Sequence, residues 1–234
     1  MSLQIFVGYD SREPIAYHIL CSSILRRASG PVSFTPLVQP ALREAGLYTR
    51  PRAKVESTEF SLTRFLVPHL SHFEGLSIFM DCDMLCHDDI YALVAEAEAD
   101  PKRAVYVCQH DYTPKTTTKF LGQRQSVYPR KNWSSLMIFR NAYCRDLTPE
   151  YVNAAVPSVL HQMHWTHEDW IGALPLDWNH LVGEYEPNAA AKMFHYTLGG
   201  PWFRDYQHCD HAKAWFEELD LAMPSMNVPK PVGL

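Results

Sequence analysis

Two aspartates one residue apart close an apolar run, Leu76-Ser77-Ile78-Phe79-Met80-Asp81-Cys82-Asp83-Met84. Carboxylates that near each other repel unless a proton or a cation lies between them. A hard divalent ion already carrying phosphate oxygens is one answer. Further along, Met193-Phe194-His195 runs into Gly199-Gly200-Pro201-Trp202. That places an imidazole, a common metal ligand, beside backbone able to approach a phosphate closely. By itself the same pattern also fits a core histidine before a turn. Two other clusters mimic metal sites. His161, His164 and His167 recur every three residues, but on a helix that spacing drifts by about 60° per step and spreads them over a wide face. Cys82, Cys86 and His87 are near in sequence, yet Cys82 should point away from its flanking aspartates in an extended segment.

The elements that must position these groups read as alternating strands and helices. The aspartate run has no helical stripe and follows Gly75, so it reads as one buried strand over Leu76 to Met84. In open α/β sheets ligands bind at the carboxyl ends of strands, where this pair would sit. Leu3 to Gly8 reads as a first strand, and Pro14 opens a helix through Leu25 that Asp10 or Ser11 would cap. Gly30-Pro31 ends it and Val32 to Leu37 forms a second strand. Residues 40–58, with Arg43, Arg50, Arg52 and Lys54, have little periodicity and read as an exposed connection. Thr58 to Leu70 reads as a helix, Ile90 to Ala99 as a helix capped by Asp88, Ala104 to Cys108 as a strand, Leu136 to Phe139 as another, and Thr148 to Val156 as a short capped helix. Residues 111–131 interleave Lys115, Lys119, Arg124, Arg130 and Lys131 with Thr, Gly, Tyr and Pro. Such a stretch is either a solvated loop or a basic lid over an anionic substrate. No repeat or linker divides the chain. The expectation is a single domain over 1–223 and a loosely packed Pro-rich tail over 224–234.

Bulk properties exclude several function classes. The net charge of -5 argues against general nucleic-acid binding. No apolar run reaches the roughly 18 residues of a membrane span, no signal peptide is evident, and no basic amphipathic helix marks a membrane-surface site. Six cysteines without a regular framework suit reduced thiols. A cytoplasmic protein, at most peripheral to the inner face of a membrane, is the expectation.

In order along the chain, Ser22-Ser23-Ile24-Leu25, Thr63-Arg64-Phe65, Phe79-Met80-Asp81-Cys82-Asp83, Asn132-Trp133-Ser134-Ser135, Leu174-Pro175-Leu176-Asp177-Trp178-Asn179 and His195 through Trp202 resemble the GT-A glycosyltransferases of family 8, the glycogenin and lipopolysaccharide galactosyltransferase group. The resemblance spans about Ile5 to Trp202. It implies a GT-A (Rossmann-like) α/β fold, a mixed, mostly parallel central sheet flanked by helices. It also implies transfer of a sugar from a nucleotide-diphosphate donor, a UDP-sugar, with retention of configuration. The acceptor, whether a glycan, a lipid-linked glycan or a small molecule, carries no motif. Asp81, Asp83 and His195 would bind Mn²⁺ or Mg²⁺, a choice the carboxylate–carboxylate–imidazole set also favours chemically. Arg64 would orient an aspartate or contact phosphate. Tyr9 and Asp10 fall where the family holds uracil and ribose, Asn132 and Ser134 at the sugar, and Gly199 and Gly200 beside the diphosphate.

The chain departs from the family pattern in three places. After Gly200 the usual lysine is missing, so the expected replacement is Arg204 or a residue of the 111–131 segment. Asn132 lacks the usual following glycine. The family's D-Q-D near the reacting carbon appears as His167-Glu168-Asp169, from which Glu168 and Asp169 are the candidate catalytic carboxylates. Two alternatives use the same aspartates: a nucleotide-sugar-binding module without turnover, and a phosphohydrolase of the haloacid dehalogenase type. The hydrolase would need a later acidic pair, and Asp88-Asp89 lies too near to serve.

Overall fold

A computed structural model of the chain describes residues 2–51, 56–125 and 127–223. The Pro-rich stretch 224–234, with Arg52 and Lys54 of the basic connection, lies outside the described residues. In chain order the elements are β1 (Leu3–Gly8), α1 (Pro14–Leu25), β2 (Val32–Leu37), α2 (Gln39–Glu44), α3 (Val67–Leu70), β3 (Leu76–Met80), β4 (Met84–Cys86), α4 (Ile90–Glu98), β5 (Val105–Cys108), β6 (Thr118–Lys119), β7 (Gln123–Arg124), β8 (Leu136–Arg140), α5 (Pro149–Ala154), α6 (Pro157–His161), β9 (Ile171–Leu174), β10 (His180–Leu181), β11 (Met193–His195) and α7 (Ala212–Ala222).

Six strands form the central sheet in the order β2-β1-β3-β8-β5-β9. Every neighbouring pair is parallel except those made by β8, which runs against both β3 and β5. The strands at the centre are apolar on both faces because helices cover both sides. Ile78, Phe79 and Met80 of β3 and Met137, Ile138 and Phe139 of β8 are wholly buried. Direct register pairs Met80 with Leu136, so the carboxyl end of β3 meets the entry to β8. Residues 132–135 therefore arrive beside Asp81, and the Asp81 N–H donates to the Ser135 carbonyl at 2.9 Å.

The aspartate run is not one strand. It breaks after Met80, and Met84–Cys86 joins a second, three-stranded sheet of order β10-β11-β4. Pairing of Met84 with His195 across β4 and β11 carries the histidine to the aspartates. This small sheet is absent from the periodicity because its strands are two or three residues long.

Local expectations fail where tertiary partners intervene. Residues 39–44 form a helix instead of an irregular exposed connection, because Leu42 and the fully buried Tyr48 anchor it and the Arg43 guanidinium lies 4.8 Å over the Tyr48 ring. Arg50 donates to the carbonyls of Val152 and Ala155 at 2.9 and 2.8 Å. The helix expected over 58–70 is a 3₁₀ turn at Thr63–Leu66 running into the single turn α3. Glu13 precedes α1 without a side-chain cap, since the Asp10 carboxylate is taken by Arg12 and the Glu59 N–H. Asp89, not Asp88, caps α4 by accepting from the Tyr91 N–H at 3.0 Å. At the end of β1, Gly8 leaves room for the Phe60 ring, which a Cβ there would meet at 2.4 Å.

Candidate metal centre and its cavity

Past the end of β3 at Met80 both aspartates face one side and Cys82 the other. Cys82 is buried with its Sγ 3.8 Å from a Glu13 carboxylate oxygen. Asp81, Asp83 and His195 each offer a ligand atom, all within 4.8 Å of one another. His195 Nε2 stands 3.4 Å from Asp83 Oδ1. His195 Nδ1 pairs with Asn179 Oδ1 at 2.8 Å, and Asn179 Nδ2 donates to Ser135 Oγ at 2.9 Å. An amide oxygen only accepts, so Nδ1 carries a proton and Nε2 is the nitrogen turned to the aspartates, the outer-shell arrangement of metal-bound histidines.

Asp83 Oδ1 is buried without a hydrogen-bond partner. A buried carboxylate oxygen left so is costly unless a cation completes it. Asp81 pairs with Arg64 at 2.7 Å. Burial nevertheless lifts its carboxyl to about 6, with Asp83 adding to the rise and Arg64 opposing it. Behind the pair, burial first and then Asp83 and Asp10 raise Glu13 well above the carboxylate range, while its Oε2 accepts from Trp202 Nε1 at 3.1 Å. The donor set fits a divalent ion of the Mg²⁺ or Mn²⁺ kind: two carboxylates, one oriented imidazole and an excess of buried acid. Among the described residues no other three His, Cys, Asp or Glu side chains converge in this way. His164 and His167 are exposed, and none of the six cysteines is paired.

The cluster opens on a cavity of about 280 Å³ whose lining includes Arg64, Lys119, Arg124, Lys131, Asn132 and Ser134. The segment 111–131 is thus neither wholly solvated nor featureless. Its β6–β7 hairpin is pinned by Gln125 Nε2 and the Lys115 N–H, which donate to the two oxygens of the buried Glu184 at 2.7 and 2.9 Å. At the tip, the Phe120 N–H donates to the Leu198 carbonyl at 2.7 Å and the ring stacks on Phe203 at 5.0 Å. This brings Lys119 to the cluster. Burial lowers its affinity for a proton, and Asp83, Asp81 and Glu13 oppose that fall. Arg204, the other candidate replacement cation, is exposed and outside the lining.

The remaining candidates divide. Asn132 takes a left-handed backbone at φ 62°, which Asn tolerates, and its Nδ2 donates to Tyr112 Oη at 2.9 Å. Ser134 Oγ lies 2.9 Å from His161 Nδ1, and the Arg64 guanidinium donates to the Ser134 carbonyl at 2.6 Å. These residues sit together on the lining. Tyr9 and Asp10 do not: Tyr9 packs edge-on against Tyr17 at 5.7 Å, and Asp10 is sealed by Arg12. Gly199 and Gly200 face protein rings, since a Cβ would meet Tyr206 at 2.8 Å and Trp202 at 2.0 Å respectively; aromatic packing fills the side-chain space expected to open toward phosphate. Glu168 and Asp169 are not brought to the cavity. They stand exposed on a 3₁₀ turn before β9, where Arg130, held against the Trp133 ring, pairs with Glu168 and Arg103 takes the Asp169 carbonyl. Sequence reasoning gave no role to Asn179 or Glu13 and did not separate Lys119 and Lys131 from their basic neighbours. Asn179 and Glu13 acquire their places through contacts distant in sequence, with His195 and Trp202.

Fold and site together define the class. Galactosyltransferase LgtC, in complex with donor and acceptor sugar analogues, superposes with a TM-score of 0.56 at 12% identity over 97% of this chain and 98% of its own. The bifunctional glycosyltransferase WbbM superposes at 0.61 and 15% identity, and GlyE of Streptococcus pneumoniae TIGR4 at 0.58 and 14%, each over 93% of this chain. The chain spans about half of WbbM (49%) and 60% of GlyE. The fold is that of the GT-A glycosyltransferases. No family model matches the sequence. Protein CDI of Arabidopsis thaliana is 46% identical over 224 residues, 93% of this chain and 86% of its own length, and the chain belongs to the family of that protein.

Proposed function

We propose that this protein is a single-domain, metal-dependent glycosyltransferase that moves a sugar from a nucleoside diphosphate, uridine diphosphate by the family 8 resemblance, to an acceptor hydroxyl. One observation carries the reading. Asp83 Oδ1 is buried without a hydrogen bond, 3.4 Å from His195 Nε2, on the wall of a cavity that also presents Lys119. Asp81, Asp83 and His195 would hold Mn²⁺ or Mg²⁺, and the ion when bound neutralises charge gathering on the departing diphosphate.

The chain's own residues supply the rest. Arg64 holds Asp81 in place and fixes the Ser134 backbone with the same guanidinium. Lys119 is the cation that takes the position of the missing family lysine, its ammonium already in the field of both aspartates. Asn132 and Ser134 line the place where the sugar would lie. With no carboxylate of the 167–169 stretch at the cavity, retention is best served by a front-face reaction, in which the acceptor proton passes to the leaving diphosphate oxygen. Positioning and charge stabilisation then carry catalysis. The unpaired cysteines suit a reducing, cytoplasmic setting, and no helix among the described residues is long and apolar enough to cross a membrane.

The test is nucleoside diphosphate release from a panel of nucleotide sugars with Mn²⁺. Release of UDP that stops in EDTA and in Asp83→Ala is expected. Binding without release indicates a sugar-nucleotide module, and phosphate from simple phosphomonoesters indicates a hydrolase.

A further inference from the structure

The two lysines on the cavity wall differ in what balances them. Lys119 lies in the field of Asp83, Asp81 and Glu13. Lys131 is buried, at 8% exposure, and has no such company. The one carboxylate acting on it is Glu184, whose two oxygens are already occupied by Gln125 and the Lys115 N–H. Among the described residues none forms an ion pair with it, and its ammonium rests 4.9 Å over the Tyr128 ring. Asp81 feels Arg64, His195 and Lys119 most strongly among the cations, whereas Lys131 sits against Tyr128 and His161 on the cavity lining.

A buried ammonium is expensive to keep charged, and a cation–π contact offsets only part of that cost. Burial, then the like charge of Lys119, lowers the pKa of Lys131 to about 8. Neighbouring His161 is pushed down to about 3 by burial, Arg64 and Lys131, so its ring stays neutral. Among the described residues no carboxylate pairs with this charge. A ligand must.

Resting on the glycosyltransferase reading, we infer that Lys131 is a specificity-determining residue that pairs with an anionic group, a carboxylate or a phosphate, carried by one of the two sugars and separate from the donor diphosphate. The protein would then act on an acidic sugar, as a uronate donor or as a phosphorylated or carboxylated acceptor.

Calorimetric titration with Mn²⁺ separates these sources. One arm compares UDP-glucuronate with UDP-glucose; the other compares glucose 6-phosphate with glucose in the presence of UDP. In one arm the acidic member binds roughly tenfold tighter, the scale of one well-formed ion pair. Lys131→Met brings that ratio to about one and Lys131→Arg retains most of it. Unliganded Lys131→Met melts at or above the wild-type temperature, since an uncompensated buried charge has been removed. Equal binding of acidic and neutral members in both arms overturns the inference. So does a preference that survives Lys131→Met, a loss equally large for UDP alone, or a lowered melting temperature that makes the lysine structural. Failure of the wild type to bind UDP at all overturns the transferase reading instead. Titration with glucuronate against glucose, without nucleotide, then still reads the Lys131 preference.

Discussion

The two walls of the cavity are built differently. On one side Asp81, Asp83 and His195 sit at strand ends, and hydrogen-bonded ladders of two sheets fix their spacing. On the other side Lys119, Arg124 and Lys131 come from a hairpin and the segment after it, held largely by side-chain contacts such as Glu184 with Gln125 and Phe120 with Phe203. The first wall has the rigidity that a metal centre demands, because ligand positions must hold to a fraction of an ångström. The second has the adjustability that substrate recognition tolerates, and loops on a rigid scaffold commonly carry it. The Asp81–Asp83–His195 cluster and most of the cavity's cations thus come from separate pieces of chain.

This contrast is open to attack from both sides. The largest effect is expected at the rigid wall. His195→Ala should lower turnover on the order of a thousandfold, the upper scale for loss of one preorganised electrostatic group. Asn179→Ala, which touches no substrate, should weaken Mn²⁺ binding roughly 10- to 100-fold by freeing the imidazole. A metal titration of both variants checks this, and an Asn179→Ala protein with wild-type metal affinity would show that the histidine needs no orienting partner. At the hairpin wall, Lys119→Ala should cost about a hundredfold in turnover and Lys119→Arg should recover part of it; steady-state kinetics across metal concentrations separates this from a metal defect. The smallest effect belongs to Glu168→Gln, which should leave turnover within about twofold, as for most exposed positions away from a site. A large loss there would return the catalytic carboxylate to the 167–169 stretch.

Legibility in the sequence follows the same division. Both faces of β3 and β8 are buried, so their composition alone announces them, and the aspartates are read from the end of that run. His195 is legible through its place before a glycine pair, although those glycines accommodate Tyr206 and Trp202. The cations are a different matter. Five basic residues between 111 and 131 look alike in one dimension, and only folding separates Lys119, which meets the aspartates, from Arg130, which is spent on Glu168 and the Gln162 carbonyl. Helix caps mislead for a related reason. Asp10 has the right type and position for α1, but Arg12 and the Glu59 N–H compete for it and win.

The reversed direction of β8 has a consequence for where the cavity's cations come from. In a wholly parallel sheet, each strand delivers to the ligand edge the segment that leaves it. Here β8 delivers the segment that enters it, so residues 111–135 form one continuous passage between β5 and β8 across the mouth of the cavity. At its two ends Met80 pairs with Leu136 and Val107 with Met137. The fold thus sets most of the cavity's cations on a segment bounded by two core strands, and its last residues, Ser134 and Ser135, also brace Arg64, Asp81 and Asn179.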